Sequence, residues 1–265
     1  MAIKWQVVSP WKFKERFLFF GEGGAGKTTA VLNMARHMPN SHFWVNETDI
    51  SRAYERMLVL GYPDVYERDQ VTVINSTDWN EFVTANEQIT KEADQENDVL
   101  VMDNVTFPWQ WAQDAHIQAM YGMDADEFMT KLKKQFKDDD KGYFAALSEG
   151  MQWPMINKKF FKGMYRFLHK WRGHAVCIAF SKDIKGERDA DMLTQFRIHG
   201  CMPAGQKDMP HAMGTNVHFM DRGKGTWAYS TTKDRERDKV FRHELVGFSF
   251  DYLVDVAEWE RERIR

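Results

Sequence analysis

Two hydrophobic periods alternate along the chain. Short, nearly continuous apolar runs are Arg16–Phe20 (RFLFF), Ser41–Asn46 (SHFWVN), Val71–Asn75 (VTVIN), Asp98–Asp103 (DVLVMD) and His174–Ser181 (HAVCIAFS). Runs of this length, rich in β-branched and aromatic residues, predict strands. Their near-continuous apolar character predicts strands buried on both faces. Between them, Thr28–His37, Trp79–Ala93 and Met155–Trp171 carry helical spacing, the last through Met155, Phe160, Met164, Phe167 and Trp171. Such alternation predicts an α/β fold with a mostly parallel central sheet flanked by helices. Asn216–Met220 and Thr226–Thr232 surround Asp221-Arg222-Gly223-Lys224-Gly225, which predicts a C-terminal β-hairpin, and Asp251–Arg263 predicts a closing helix.

Phe107–Ser148 is less regular and carries the charge run Lys137-Asp138-Asp139-Asp140-Lys141. It reads as an inserted, mostly helical surface lobe (residues 107–150) in a single domain covering residues 1–265, with its core at 16–238.

Composition changes this picture little. Hydrophobic residues make up 43% of the chain, with ten Trp and nineteen Phe, enough bulky core to exclude a disordered chain. A formal net charge of −3 removes the bulk argument for a nucleic-acid partner but leaves room for a local basic groove. Cys177 lies in an apolar run and Cys201 in a polar loop, which argues against a structural disulfide. No stretch reaches the ~18 consecutive apolar residues of a membrane span. The expectation is a soluble cytoplasmic protein with no membrane partner.

The strongest chemical signal is Gly21-Glu22-Gly23-Gly24-Ala25-Gly26-Lys27-Thr28, followed by Thr29. It fits G-x-x-x-x-G-K-[ST] in full, after a predicted strand and before a predicted helix. Glycines let the backbone curl until successive N–H groups face a phosphate, and the helix N-terminus adds its positive dipole end. Lys27 then reaches the β- and γ-phosphates, and the Thr28 hydroxyl meets Mg²⁺. Asp103 ends the apolar strand Val99–Met102, where a second Mg²⁺ contact is expected. No N/T-K-x-D guanine motif is evident, so ATP is the expected nucleotide.

A catalytic base must polarise the attacking water. Many P-loop ATPases place a Glu directly after the strand-end Asp, but here that residue is Asn104. Glu47, at the end of the second strand, is the leading candidate, on the expectation that this strand emerges beside the P-loop strand. Asp49 is the alternative.

The order GEGGAGKT, WVNE, VLVMDN and then a strand ending in Ser181 resembles the RecA-like ATPases. In that family the catalytic glutamate ends the strand after the P-loop helix, which supports Glu47. Lys233-Asp234-Arg235, after the strand Trp227–Thr232, resembles the K-x-R that such proteins insert into a neighbouring subunit's nucleotide. The stretch from Cys201 to Asp238 is similar to the short phage-encoded RecA-like ATPases of recombination and single-strand annealing. The resemblance covers roughly Arg16–Asp238. It implies a homo-oligomer with ATP at the subunit interface, Lys233 and Arg235 acting in trans, a host-cytoplasmic location and a DNA partner, preferably single-stranded. DNA would meet Lys182–Lys207, which holds Lys182, Lys185, Arg188, Arg197 and Lys207 with Phe196 for base stacking. Ser181 would couple that loop to the nucleotide. A DNA-translocating or packaging-type motor, a P-loop small-molecule kinase and a nucleotide-dependent switch remain alternatives.

Overall fold

The structure is a computed structural model that describes residues 14–49, 51–184, 196, 200–223, 226–234 and 245–246. The closing helix expected at Asp251–Arg263 lies outside the described residues, as do Arg235, Lys185, Arg188 and Arg197.

Among the described residues, nine strands form the sheet: β1 (Arg16–Gly21), β2 (Phe43–Glu47), β3 (Val71–Asn75), β4 (Val99–Asp103), β5 (His174–Asp183), β6 (Cys201–Pro203), β7 (Thr215–Asp221), β8 (Trp227–Asp234) and β9 (Leu245–Val246). Their spatial order is β3-β2-β4-β5-β1-β7-β8-β9, with β6 paired to the extended end of β5. Pairing is parallel from β3 to β7. The hairpin β7–β8 and the β8–β9 and β5–β6 pairs are antiparallel. All five apolar runs and the hairpin therefore become strands where the hydrophobic pattern places them.

The strand order corrects one expectation. β2 does not emerge beside the P-loop strand, because β4 and β5 lie between them. Each βαβ crossover returns the chain to the sheet at a position that hydrophobic periodicity does not encode.

Alternating residues of the central strands feed two cores. Phe17, Phe19, Val45, Val101, Val176 and Ile178 pack under α1 (Lys27–His37), α2 (Ala53–Gly61) and α3 (Pro63–Glu67). Leu18, Phe20, Leu100, Met102, Cys177 and Ala179 pack on the opposite face. That face is covered by α4 (Trp79–Glu92), α5 (Thr106–Tyr121) and the helix built from α8 (Trp153–Phe160), a π-helical turn (Phe161–Tyr165) and α9 (Arg166–Lys170). Each fully buried Phe or Leu contributes about 1.5–3 kcal/mol relative to exposure, so two cores of this size dominate stability.

Local chemistry sets the helix ends. Asp78 caps α4 by accepting from the N–H groups of Asn80 and Glu81, while Glu81 reaches back to the Thr77 N–H. Within the stretch 107–150, α5 packs on the sheet through Ala112. α6 (Ala125–Gln135) and α7 (Asp140–Met151) close over a small separate cluster of Ile117, Ala125, Phe128, Met151 and Ile156.

Gly21 ends β1 with φ +155°, and a Cβ there would clash with the Phe219 carbonyl oxygen on β7. The obstacle is backbone in a paired strand and cannot swing away. Gly21→Ala is expected to destabilise the fold by about 3 kcal/mol or more, read as a lowered urea midpoint at unchanged m-value.

Candidate nucleotide site

The carboxyl ends of the parallel strands line up along one edge of the sheet. Glu47 is the register partner of Asp103, Asp103 of Ile178, and Gly21 of Phe180. Register partners on adjacent strands project to the same side, so Glu47 and Asp103 both face the layer that holds α1. This edge, just outside the carboxyl ends of parallel strands, is where open α/β sheets place their ligands.

The loop Gly21–Gly26 turns from β1 into α1. Gly26 caps the helix in the left-handed conformation at φ 91° and ψ 13°, which a residue with a Cβ would hold only at a cost. Glu22, Gly23 and Gly24 are exposed, while Ala25 and Lys27 are buried. The first N–H groups of α1 point out of the helix end toward the loop, the donor array that receives a phosphate. The Lys27 ammonium donates to the carbonyls of Gly21 at 2.9 Å and Glu22 at 2.6 Å, folded over the cradle rather than away from it. Burial lowers its pKa, and Asp103 and Asp49 oppose that shift.

Asp103 sits opposite α1, and the Thr28 hydroxyl donates to its Oδ2 at 3.1 Å. Burial pushes the Asp103 carboxyl up to about 6, against the pull of its hydrogen bonds and of Lys27. The fully buried Tyr54 hydroxyl lies beside this carboxylate, and its own pKa is raised by burial first and by Asp103 second. The backbone around Asp103 is tightly held. Thr48 N–H donates to the Asp103 carbonyl at 2.6 Å, and the Thr48 hydroxyl bonds both the N–H and the carbonyl of Asn104.

Glu47 is 1% exposed. Its Oε1 accepts a long bond of 3.5 Å from the Tyr54 N–H at the start of α2, and its Oε2 has no hydrogen-bond partner. Burial raises its pKa to about 7, with Asp103 and Asp49 adding to the rise. The half-buried Asp49 side chain accepts from the Ser51 N–H at 2.9 Å. Asp103 and Asp49 thus act on both the Lys27 ammonium and the Glu47 carboxyl, a concentration of negative charge that suits a divalent cation. Among the described residues no group of three or more His, Cys, Asp or Glu has metal-holding geometry. A Mg²⁺ site built from one carboxylate and one hydroxyl, completed by phosphates and water, needs none. Asp103 and Thr28 are oxygen donors within 3.1 Å of each other, which fits that hard cation.

Trp227, the first residue of β8, was not singled out by sequence reasoning. Its indole N–H donates to the Gly24 carbonyl at 3.1 Å, and its ring lies 3.6 Å from where a Gly26 Cβ would be. It braces the outer side of the loop from the hairpin. The only sequence signal for it is an aromatic residue directly after a turn.

Ser181 and Lys182 line a cavity of about 650 Å³ together with Glu22, Gly23, Cys201 and Arg222. The end of β5 therefore opens beside the P-loop. His218 forms part of the wall, stacked on Phe20 at 4.8 Å with Cys201 Sγ 3.3 Å from its Nε2. Phe196 departs from expectation. It is 0% exposed and packs edge-on against Phe20 at 5.6 Å, so it serves the core and is not available to stack a base.

Lys233 lies far from its own P-loop. β8 runs antiparallel to β7, and its Asp234 end pairs with Thr215, the residue that sits beside Phe17 near the start of β1. The Lys233 ammonium donates to the carbonyls of Pro210 (2.9 Å), His211 (3.0 Å) and Met213 (2.6 Å), around the end of the short helix α10 (Met209–Ala212).

No protein-family model matches the chain, and no curated protein matches it. Solved structures do. The chain is similar to the RadB recombinase, at 11% identity and a TM-score of 0.50, over 88% of this chain and 86% of that one. Among the described residues no helix is long and apolar enough to cross a membrane. At that identity the likeness speaks for architecture: this chain has the RecA-like α/β fold, a mostly parallel sheet between helices with a C-terminal antiparallel hairpin.

Proposed function

We propose that this protein is a Mg²⁺-dependent ATPase whose hydrolysis is coupled to DNA in recombination or repair. The observation that carries the reading is the joint geometry of the complete P-loop and the two strand-end acids. Lys27 and Thr28 stand at the start of α1, facing Asp103 and Glu47 at the ends of adjacent parallel strands. Residues Gly21–Thr29 cradle the phosphates of ATP. Thr28 and Asp103 are the residues that would hold Mg²⁺, which when bound would supply positive charge against the phosphates. Lys27 leaves the Gly21 and Glu22 carbonyls for the β- and γ-phosphates. Glu47 accepts a proton from the attacking water through its unpartnered Oε2.

DNA meets the protein at Lys182, which lies beside the P-loop, and along the basic sequence that follows it, with Ser181 linking the two sites. Without Phe196 this contact rests on cations rather than on stacking. The fold likeness to a recombinase supports an assembly of several copies with ATP at their interface. Lys233 and Arg235 are the candidate trans cations. The position of Lys233 at the far end of the sheet from its own P-loop supports a role at a neighbour's nucleotide.

The deciding measurement is steady-state ATP hydrolysis with single-stranded DNA, with duplex DNA and without DNA. Lys27→Ala serves as the blank and is expected to lose at least about 100-fold in rate, since it removes a preorganised cation from developing phosphate charge. Stimulation by single strands supports the full reading. Stimulation by duplex alone points to a translocating motor. A rate indifferent to DNA leaves the nucleotide site standing and ends the DNA-coupled mechanism.

A further inference from the structure

The helix formed by α8, the π-turn and α9 carries a feature that the nucleotide site does not use. No Asp or Glu occurs between Glu149 and Asp183, while Lys158, Lys159, Lys162, Arg166, Lys170 and Arg172 all fall there, on a chain of net charge −3. The helix buries Ile156, Phe160, Met164 and Leu168 in the core and leaves Lys158, Phe161, Lys162, Arg166, His169 and Lys170 exposed. The exposed cations Lys158, Lys162, Arg166 and Lys170 recur every fourth residue and so form one stripe, about 18 Å long at a rise of 1.5 Å per residue. Among the described residues none of these four is ion-paired; Arg172 is, to Glu96 at 3.1 Å. Phe161 is 49% exposed in the midst of the stripe, with its ring 6.3 Å from His169 and 6.0 Å from Tyr165.

We infer that this stripe is a second nucleic-acid contact, a groove-free track for single-stranded DNA or RNA, separate from Lys182 and its loop. The cations neutralise phosphates, and the exposed Phe161 ring offers a platform for an unpaired base. A stripe of ~18 Å spans about five nucleotides at 3.4 Å each. A membrane surface is the poorer occupant: an interfacial helix buries its apolar face in lipid, and here that face is already committed to the core.

The test is fluorescence anisotropy with a labelled oligothymidine in the absence of nucleotide, so that it does not depend on the ATP chemistry. The double charge reversal Lys162→Glu/Arg166→Glu is expected to weaken binding at least about tenfold and to flatten the log–log salt slope by about 1.4, two phosphate contacts on a single strand. Phe161→Ala is expected to weaken oligothymidine binding about fivefold or more while leaving duplex affinity within about twofold. Unchanged melting temperature and unstimulated hydrolysis establish that the charge-reversed protein is folded; if it is not, Lys162→Gln/Arg166→Gln carries the comparison. Lys182→Glu separates the two contacts. Loss with both sets of variants supports the stripe. Loss with Lys182→Glu alone overturns it and leaves the loop reading intact. Binding to phosphatidylserine vesicles without binding to the oligonucleotide, or no oligonucleotide binding by the unaltered protein, also overturns it.

Discussion

Glu47→Gln is expected to lower ATP hydrolysis by about 100- to 10,000-fold, the usual range for a lost general base, while leaving nucleotide affinity within a few-fold. The amide keeps the shape of the side chain and its Oε1, which still accepts from the Tyr54 N–H. What it loses is the basic Oε2, the atom with no partner. The same substitution is expected to stabilise the nucleotide-free protein. In the fold the Glu47 carboxyl titrates at about 7 against 4.5 for an ordinary glutamate, because burial disfavours its charge. A raised acid pKa means that the folded state holds the proton more tightly. Stability is therefore full below pH 4.5 and falls as pH rises through 7. At pH 7–8 the ionised group costs about 3 kcal/mol, a cost that Gln does not carry. Chemical denaturation of both proteins at pH 5 and pH 8 reads this out: the advantage of Gln should be within about 1 kcal/mol at pH 5 and grow to about 3 kcal/mol at pH 8. Hydrolysis by the unaltered protein should rise with pH through the same region, with bound Mg²⁺ drawing the midpoint lower. A Gln protein that hydrolyses normally would transfer the base role to Asp49. One that is no more stable at pH 8 would mean that Glu47 is better solvated than its burial implies.

The P-loop half of this candidate site was legible because its signals are local. A strand, a Gly-rich turn and a helix follow one another within residues 16–37, and each is written in neighbouring residues. Asp103 and Glu47 were legible as ends of apolar runs, but their adjacency was not. It depends on β2 pairing with β4 rather than with β1, and long-range pairing leaves no periodic trace. α2 and α3 were missed because only Tyr54, Leu58 and Val65 among their residues are buried, too few to write a stripe. α5 was absorbed into an expected surface lobe because its Trp-rich start and its mixed polar and apolar continuation serve two environments, sheet packing through Ala112 and the small cluster under α6 and α7. Phe196 shows the limit most clearly. Surrounded by Asp191, Arg197 and His199 in sequence, it reads as a loop aromatic, yet it fills a hole against Phe20 that only the folded sheet creates. Trp227 is the converse case, an exposed aromatic whose partner, Gly24, is 203 residues away.

Lys233→Ala is expected to have two separable effects, and both follow from where the ammonium sits. In the isolated subunit its three bonds tie β8 to the carbonyls around the end of α10. Charge-assisted bonds of this kind contribute about 1.5–3 kcal/mol each when dry, but Lys233 is half-buried, and water replaces part of what is lost. A net loss of about 2 kcal/mol is expected, a fall of about 4–8 °C in melting temperature for a chain of this size. In an assembly with ATP between copies, the same ammonium must release those carbonyls to reach a neighbour's γ-phosphate. Removing a trans cation of that kind costs about 1,000-fold or more in turnover. Mixing separates the two roles. Lys27→Ala subunits have no working cradle but carry Lys233; Lys233→Ala subunits have the reverse. If the cation acts across the interface, an equimolar mixture recovers hydrolysis that neither variant has alone, because a Lys233→Ala cradle meets a Lys27→Ala neighbour's lysine. If Lys233 is only a clamp, the melting temperature falls, the DNA-stimulated rate survives below the new melting point, and mixing adds nothing. A melting temperature that does not move, with hydrolysis lost, would mean that water satisfies the α10 carbonyls at no cost and that the lysine stands ready for its neighbour.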